Sequence, residues 1–400
     1  MFTFRIPNKS PRRRAVSFAM TAISIVMLLG MASLTVDVGM MYRARAEAQA
    51  AADAAAMAGA WKLLDNERLK SDPNMTAVIS AARTAAVQMA ARNKIINTSP
   101  SLSANSSNDA DGDIVVGYLS DPDNDPNEVL STADPDQFNT VRVRVRRDAQ
   151  HGSPIDLYFA GVFGRHTADI SAEAYATFKD GVVGYKVDDN TGNAQLLPLA
   201  LKVDAWDNLL AGAFTSGDNW TYNPATGVVT PGPDGINELN LYPGGASQLP
   251  PGNFGTVDIG NPNNSTADLS RQIRYGVSAD DLDYFGGELE LGSDGTLLLN
   301  GDTGLSAAIK DDLIAIKGLP LAIPLFSSVT GNGNNAMFTI VGFAGIRILD
   351  VKLTGSKSSK RVIIQPAYVV DDAAMTGPTS GSTFGSRYFV YARAPVHLVR

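Results

Sequence analysis

The longest uncharged stretch of the chain lies close to its start, where the 22 residues from Ala15 to Val36 carry no ionisable side chain. As an α-helix this stretch would be about 33 Å long, enough to cross a hydrocarbon core of about 30 Å. Every ionisable side chain ahead of it is basic, and Arg12, Arg13 and Arg14 directly precede it. Because basic residues stay on the cytoplasmic side, the pattern predicts a single-pass anchor with the remaining chain exported.

A cleaved secretory signal is the alternative interpretation of the same stretch. Its apolar region would normally hold about 7–15 residues, fewer than the run here. A sequence that a signal peptidase could cut, Ala44-Arg45-Ala46, does lie downstream. The length of the apolar run favours an anchor that is retained.

Beyond Val36 the chain keeps a helical pattern. Alanine, the best helix former, fills ten of the fifteen positions from Ala46 to Ala60. The membrane helix is therefore predicted to continue into an alanine-rich stalk that ends near Leu64. A second helical pattern, Met75–Lys94, is predicted to pack antiparallel against this stalk after a turn at residues 71–74.

The remaining sequence predicts an α+β protein in which the anchor and stalk precede β-rich extracytoplasmic domains with short helices and long loops. Clusters of Asp, Asn, Pro and Gly separate short β-like runs after residue 180. Two such runs, Glu288–Leu291 and Thr296–Leu299, flank Ser293-Asp294-Gly295 and predict a hairpin. The expected segments are a cytoplasmic tail (1–14), a transmembrane helix (15–36), a helical stalk and hairpin (37–97), a linker (98–112), a small α+β module (113–180) and a β-rich C-terminal domain (181–400).

Composition narrows the classes of function. The chain has no cysteine and a net charge of −8, and its basic residues concentrate at the N-terminus, so a nucleic-acid partner is not expected. Arg142, Arg144 and Arg146 alternate with valines, which is typical of the solvent face of a half-buried strand rather than a basic patch.

No constellation typical of an enzyme or a metal site is found. The three histidines, His151, His166 and His397, lack partners at metal-ligand spacing. Asp109, Asp111 and Asp113 resemble the opening of a calcium loop, but the glycine and glutamate that an EF-hand requires are missing. A turn is the preferred interpretation, with a weak calcium site in 109–125 left open. We expect no catalytic, cofactor-binding or metal-binding residues, and no enzyme activity.

Several motifs together carry a family resemblance. They are the basic tail, Val36-Asp37-Val38-Gly39, Tyr42 and the run Gln49–Ala60, which contains Asp53 and Gly59. In combination, residues 12–62 resemble the N-terminal segment of TadE/TadG-like proteins of the bacterial tight-adherence system, which assembles Flp pili. A weaker similarity continues to about residue 178. Ser17 stands where the pseudopilins of this system carry a glutamate, so the chain resembles the uncleaved, TadG-like branch.

The resemblance implies a structural or accessory role in Flp pilus assembly or surface adhesion. It implies an inner-membrane protein with a periplasmic C-terminal domain, whose stalk helix contacts pilus-assembly or other envelope proteins or a second copy of the chain. The residues expected to pack against a partner helix are Asp37, Gly39, Tyr42, Asp53 and Gly59. The alternative is an anchored binding module that recognises a cell-wall or surface polysaccharide.

Overall fold

The architecture was derived from a computed structural model. It describes residues 11–120, 125, 127–178, 181–188, 191–213, 215–242, 252–261, 265–331, 333–356, 359–377, 390–392 and 396–399. The first element is one uninterrupted helix, α1 (Pro11–Leu63), so the apolar run and the alanine-rich run form a single rod. A 3-10 turn (Asn66–Leu69) follows, and α2 (Met75–Arg92) runs back along α1 as the sequence predicts. Asn74 begins α2 by accepting a hydrogen bond from the Ala77 N–H.

A four-stranded antiparallel sheet packs against this helical pair. Its strand order is β1-β2-β5-β20. The strands are β1 (Ile114–Gly117), β2 (Thr140–Arg147), β5 (Ile170–Phe178) and β20 (Val396–Leu398), and a short pair of strands, β3 (Ile155–Asp156) and β4 (Thr167–Ala168), lies between β2 and β5 in the chain. We call this sheet with α2 and the second half of α1 the membrane-proximal unit, because it directly follows the part of α1 that is a candidate membrane span. Val141, Val143 and Val145 are fully buried against the helices, so the predicted alternation of β2 is confirmed.

The alanine face of α1 is the core of this unit. Its seven inward-facing alanines have no exposed surface, and they pack on the sheet and on α2: Ala44, Ala48, Ala51, Ala52, Ala55, Ala56 and Ala60. Small side chains allow the helix to approach the sheet closely, which explains the composition without a partner protein. The expected contact of the stalk helix with another protein therefore cannot use the alanine face of residues 44–60.

The polar stretch 98–112, expected to be a linker, is held in place by side-chain hydrogen bonds. Asn108 pairs with both the N–H and the C=O of Val116, and Asn105 donates to the Ile114 carbonyl. The stretch thus follows the edge of β1. The side-chain amides of Asn105 and Asn108 make hydrogen bonds with the β1 backbone that a neighbouring strand would otherwise make.

A larger sheet forms the outer unit, which contains most of residues 181–377. Its order is β10-β16-β15-β13-β11-β7-β14, and β14 also pairs with β15. The strands are β7 (Leu199–Lys202), β10 (Leu239–Asn240), β11 (Phe254–Val257), β13 (Leu297–Asp302), β14 (Pro320–Thr330), β15 (Ala336–Lys352) and β16 (Arg361–Pro366). The pairing of β14 with both β7 and β15 closes five of these strands into a ring, a small barrel in which none of the five is left as a free edge.

Short helices and strands surround this ring. The helices are α3 (Val203–Leu210), α4 (Thr266–Tyr275), α5 (Ala279–Leu282) and α6 (Lys310–Ala315). The additional strands are β6 (Val182–Lys186), β8 (Trp220–Asn223), β9 (Val228–Pro231), β12 (Glu288–Glu290), β17 (Val369–Asp371), β18 (Ala374–Thr376) and β19 (Val390–Ala392). Two apolar cores form on the two faces of the sheet, because alternate residues such as Leu201 and Ala200 belong to different cores. An α+β protein with an N-terminal apolar helix is confirmed.

The predicted hairpin at residues 288–299 is wrong. The turn itself exists, since the Gly292 N–H donates to the Thr296 carbonyl at 2.8 Å. However, β12 pairs with β6, whereas β13 pairs with β11 and β15. The residues of the turn determine where the chain reverses direction. The partners of β12 and β13 are determined by burial, because the two strands are buried in different sheets.

The chain returns to its first sheet at its C-terminal end. Val396 pairs with Phe178, and Leu398 pairs with Ala176, so β20 is an edge strand of the membrane-proximal unit. The division of the sequence at residue 180 did not anticipate this return, because a three-residue strand that follows a long excursion leaves no periodic signal.

Candidate functional site at the membrane exit

The first charge after the apolar run, Asp37, is almost completely buried. Its two carboxylate oxygens accept hydrogen bonds from three consecutive backbone N–H groups, those of Tyr158, Phe159 and Ala160, at 2.8, 2.9 and 2.6 Å. The contact joins residues more than 120 positions apart in the chain. It fixes the loop between β3 and β4 to the point where α1 leaves its apolar segment.

The reason for this contact lies in the loop. Residues Ala160–Phe163 form a 3-10 helix whose N-cap is Phe159, a residue without a side-chain acceptor. The N–H groups at the start of such a helix have no partner within it, and a carboxylate satisfies them well. Asp37 is therefore a capping residue supplied by another element.

Two further polar side chains of α1, which follow Asp37 in the chain, make hydrogen bonds with other parts of the membrane-proximal unit. Glu47 accepts a hydrogen bond from the Ile96 N–H in the segment that follows α2, and Gln49 donates to the Glu173 carbonyl in β5. Asp53, expected to meet the second helix or a partner, accepts instead from Gln49 of its own helix at 2.8 Å. Asp53 thus orients the side chain that ties α1 to the sheet.

Gly59 and Gly39 lie in contrasting surroundings. A methyl group at Gly59 would lie 3.0 Å from Val141 Cγ1 and 3.3 Å from the Ala82 carbonyl oxygen, so α1 approaches both β2 and α2 closely at Gly59. A methyl group at Gly39 would have no neighbour within 4 Å. Tyr42, one turn further along, is 69% exposed. Gly59 is a packing residue within the chain, whereas Gly39 and Tyr42 face outward.

The exposed side of α1 extends back through the apolar segment. Between Val16 and Val36 the large apolar side chains are each at least half exposed, and this helix is long and apolar enough to span a membrane. Arg12, Arg13, Arg14 and Ala15 lie in its first turns. We call the outward-facing residues Val38, Gly39 and Tyr42, which continue the apolar surface past Val36, the exit face.

Arg142, Arg144 and Arg146 of β2 alternate with the buried valines and lie on the sheet face opposite the helices. Arg144 pairs with Glu173 at 2.8 Å, and Arg146 pairs with the buried carboxylate of Asp113. Arg142, expected on a solvent-exposed face, is buried and donates to the Ala110 and Gly112 carbonyls. The acidic loop before β1 thus covers the arginine row, and Asp113 serves an ion pair rather than a calcium site.

Within the described residues no three His, Asp or Glu side chains converge as metal ligands would. Asp121 and Asp123 of the second acidic loop lie outside the described residues. The Nδ1 atom of His151 lies 2.7 Å from an Asp148 carboxylate oxygen.

A polar cleft of about 630 Å³ lies in the outer unit beside α4 and α5. Arg271 and Asp281 both line it, and Arg271 contacts both carboxylate oxygens of Asp281, with N–O distances of 2.5 and 3.0 Å. Burial of the Asp281 carboxyl would raise its pKa, but the hydrogen bonds from Arg271 and Ser278 hold the pKa below its ordinary value. Tyr275 is 68% exposed and also lines this cleft.

The sequence pointed to Asp37 through its motif but did not reveal its partner. Tyr158, Phe159 and Ala160 contribute backbone N–H groups, and a backbone donor has no residue-type signature. The sequence marks this loop only by the aromatic residues of the run Leu157–Gly164.

The fold and this contact define a class: a protein whose long N-terminal helix is both a candidate membrane span and part of the core of a helix–sheet unit. Residues 16–62 match the family model described as Flp pilus-assembly TadE/G-like, and residues 58–176 match the model described as Tad-like Flp pilus-assembly. The two matches together span residues 16–176, less than half of the chain, and confirm the resemblance to TadE/TadG-like proteins that the N-terminal motifs predict; the matched residues end within β5. No curated protein and no solved structure matches the chain significantly.

Proposed function

We propose that this chain is a structural, non-catalytic component of Flp pilus assembly, held in the bacterial inner membrane by residues 15–36 with its folded units in the periplasm. The family-model matches of residues 16–62 and 58–176 support a role in Flp pilus assembly. The observation that carries the finer proposal is the exit face. It is an exposed surface of α1 that continues directly from the apolar segment, while the alanine face is filled.

The buried contacts of α1 support a retained anchor. Cleavage after Ala46 would remove Asp37 and Ala44, which are both buried in the membrane-proximal unit. The three N–H groups at residues 158–160 would then lose their acceptor. A signal sequence is normally dispensable to the mature fold, whereas residues 37–46 are part of this one.

The contrast between the exposed exit face and the buried alanine face of α1 also indicates where a partner protein can bind. A helix of another envelope protein can lie along the apolar segment and reach the exit face, where Gly39 permits close approach of backbones. We therefore assign the contact with pilus-assembly proteins to the exposed side of residues 16–42 and not to the alanine face.

Site-specific cross-linking tests this assignment. Because the chain has no cysteine, single cysteines at Gly39 and Tyr42 can be compared with cysteines at Ala51 and Ala55 in membranes of piliated cells. We expect cross-links to pilus-assembly proteins from the first pair and none from the second. Cross-links from Ala51 or Ala55 alone, or normal surface pili after deletion of the gene, would contradict the proposal, and cross-links only between copies of the chain would replace it with a homo-oligomer.

One observation favours the alternative of a glycan-binding module, namely the polar cleft of the outer unit. An exposed aromatic ring beside paired charged groups suits a sugar, because the ring can stack on a sugar face while the charged groups accept and donate hydrogen bonds. Binding of cell-wall glycan fragments to the full chain in detergent, abolished by Tyr275→Ala and unaffected by Tyr284→Ala at another exposed tyrosine, would support it.

A further inference from the structure

The loop between β3 and β4 exposes large apolar side chains that its own unit does not cover. Tyr158 is 69% exposed, Phe159 is 42% exposed and Val162 is 86% exposed. These residues, which we call the aromatic patch, lie on and just before the 3-10 helix Ala160–Phe163. Soluble surfaces rarely present such side chains together without a function.

The position of the aromatic patch relative to α1 is fixed by hydrogen bonds. The N–H groups of Tyr158 and Phe159 both bind Asp37, the residue that directly follows the uncharged run. The patch therefore lies level with the end of the apolar segment and beside the exit face. If residues 15–36 span the bilayer, this level is the boundary between hydrocarbon and headgroups.

We propose that the aromatic patch inserts into the interfacial layer of the membrane that α1 spans, as a second attachment point. Aromatic side chains are enriched at this depth, and the patch continues the lipid-facing surface of α1. Two attachment points separated along the membrane plane fix the tilt and rotation of the folded units, which a single helix leaves free. This proposal rests on the spanning role of residues 15–36 that is part of the proposed function.

The charges around the patch show what kind of attachment this is. Exposed Asp156 and Asp169 flank it together with Arg165, so the loop carries charges of both signs. Attraction to anionic lipids is then not its basis, and insertion depends on apolar contact. Attachment should therefore be insensitive to salt and to the fraction of anionic lipid.

Val129 provides a matched control for a test of depth. It is also 86% exposed, but it lies at the opposite end of the sheet. The neighbouring Ser131 pairs with Tyr118 beyond the end of β1, where Gly117 meets Thr140 at the start of β2. The patch lies past the other end of β2, beyond Arg147.

The experiment uses the full chain in proteoliposomes with a polarity-sensitive fluorophore on a single cysteine at Met27, Val129 or Val162. Lipids that carry a quencher just below the headgroup should quench the label at Val162 several-fold more than the label at Val129. The difference should persist in high salt and in purely zwitterionic lipid. It should fall in a Val162 variant that also carries Asp37→Ala, because the loop is then no longer fixed at this level.

The label at Met27 separates the two proposals. Lipids labelled deep in the acyl chain should quench the label at Met27. If they do, but the label at Val162 is no more quenched than the label at Val129, the proposed insertion of the aromatic patch fails and the spanning role of residues 15–36 stands. If Met27 is also unquenched, the spanning role fails as well. Quenching at Val162 that disappears in high salt would overturn apolar insertion, and so would a label that is shielded from water but not reached by lipid-borne quenchers, as contact with another protein would produce.

Discussion

At the scale of single residues, buried carboxylates accept hydrogen bonds from backbone N–H groups of other segments. These N–H groups have no acceptor within their own segment. Asp37 binds three such groups across the membrane-proximal unit. Glu238 binds two, those of Asn219 and Trp220, in the outer unit. Such carboxylates are costly to bury and are retained where the backbone needs them.

Replacing Asp37 should expose this capping role directly. In Asp37→Ala, the amides of Tyr158, Phe159 and Ala160 lose their acceptor, so a peptide covering residues 157–164 should exchange hydrogen faster than in the wild type. Asp53→Ala is the matched control on the same helix, since the Asp53 carboxylate binds only a side chain among the hydrogen bonds described for it. Hydrogen exchange with mass spectrometry on the full chain in detergent measures both, and equal protection of 157–164 in all three proteins would refute the role.

Glu238 should make the stability of the outer unit depend on pH. Burial raises the pKa of this carboxyl to about 7, against the lowering effect of two backbone N–H groups. Because the folded state holds the proton more tightly than the unfolded state, the stabilisation is complete below about pH 4.5. It is lost as the pH rises toward 7, by up to about 3 kcal/mol.

Glu238→Gln tests this dependence, because the amide oxygen can still accept both hydrogen bonds and never ionises. The thermal unfolding temperature of the variant should equal that of the wild type at pH 4.5 and exceed it at pH 8. Glu290→Gln, at an exposed position, should follow the wild type throughout. A constant difference between Glu238→Gln and the wild type across this range would argue against a titrating Glu238.

At the scale of elements, α1 does two jobs along one rod. Its first half exposes apolar side chains and its second half buries alanines, and the transition falls near Asp37. Two glycines mark the two halves of this division: Gly59 is enclosed by β2 and α2, and Gly39 is open. The same substitution at the two positions should therefore have opposite consequences.

Gly59→Leu should destabilise the membrane-proximal unit by about 1–3 kcal/mol, because the added atoms meet Val141 and the Ala82 backbone. Gly39→Leu should leave stability unchanged or raise it by up to about 1 kcal/mol, since leucine favours helix more than glycine. Thermal unfolding of both variants measures this. If the exit face binds a partner helix, Gly39→Leu should also reduce surface pili at normal protein levels, and normal piliation would argue against that contact.

At the scale of the whole molecule, the proposed membrane topology places residues 1–14 in the cytoplasm and both folded units in the periplasm. The absence of native cysteine permits a direct test with single cysteines at Ser10, ahead of the described residues, and at the exposed Ser107. In intact cells a membrane-impermeant thiol reagent should label the cysteine at position 107 only after the outer membrane is permeabilised. The cysteine at position 10 should react only after lysis. Mass spectrometry that finds a mature N-terminus near Ala46 would contradict the anchor.

The sequence predicted those parts of the fold that depend on local periodicity. The long helix, α2 and the alternation of β2 all follow from patterns within a few turns. It did not predict the partner of Asp37, the closure of β14 onto β15, or the separation of β12 from β13, because each is decided by contacts between distant segments. The alanine face shows the same limit: the composition required a close neighbour, and only the structure identified it as the chain's own sheet.

The return of β20 to β5 has a consequence for how the protein is made. In the proposed periplasmic topology, the 217 residues between Phe178 and Val396 must be translated and exported before the first sheet receives its last strand. At about 5–20 residues per second, the edge of β5 stays open for roughly 10–40 s. During that interval it presents unpaired backbone groups beside the membrane, where the C-terminal strand of a neighbouring nascent copy can pair with it. Newly made chains that emerge close together are therefore at risk of strand exchange, and a periplasmic chaperone that covers this edge would protect them.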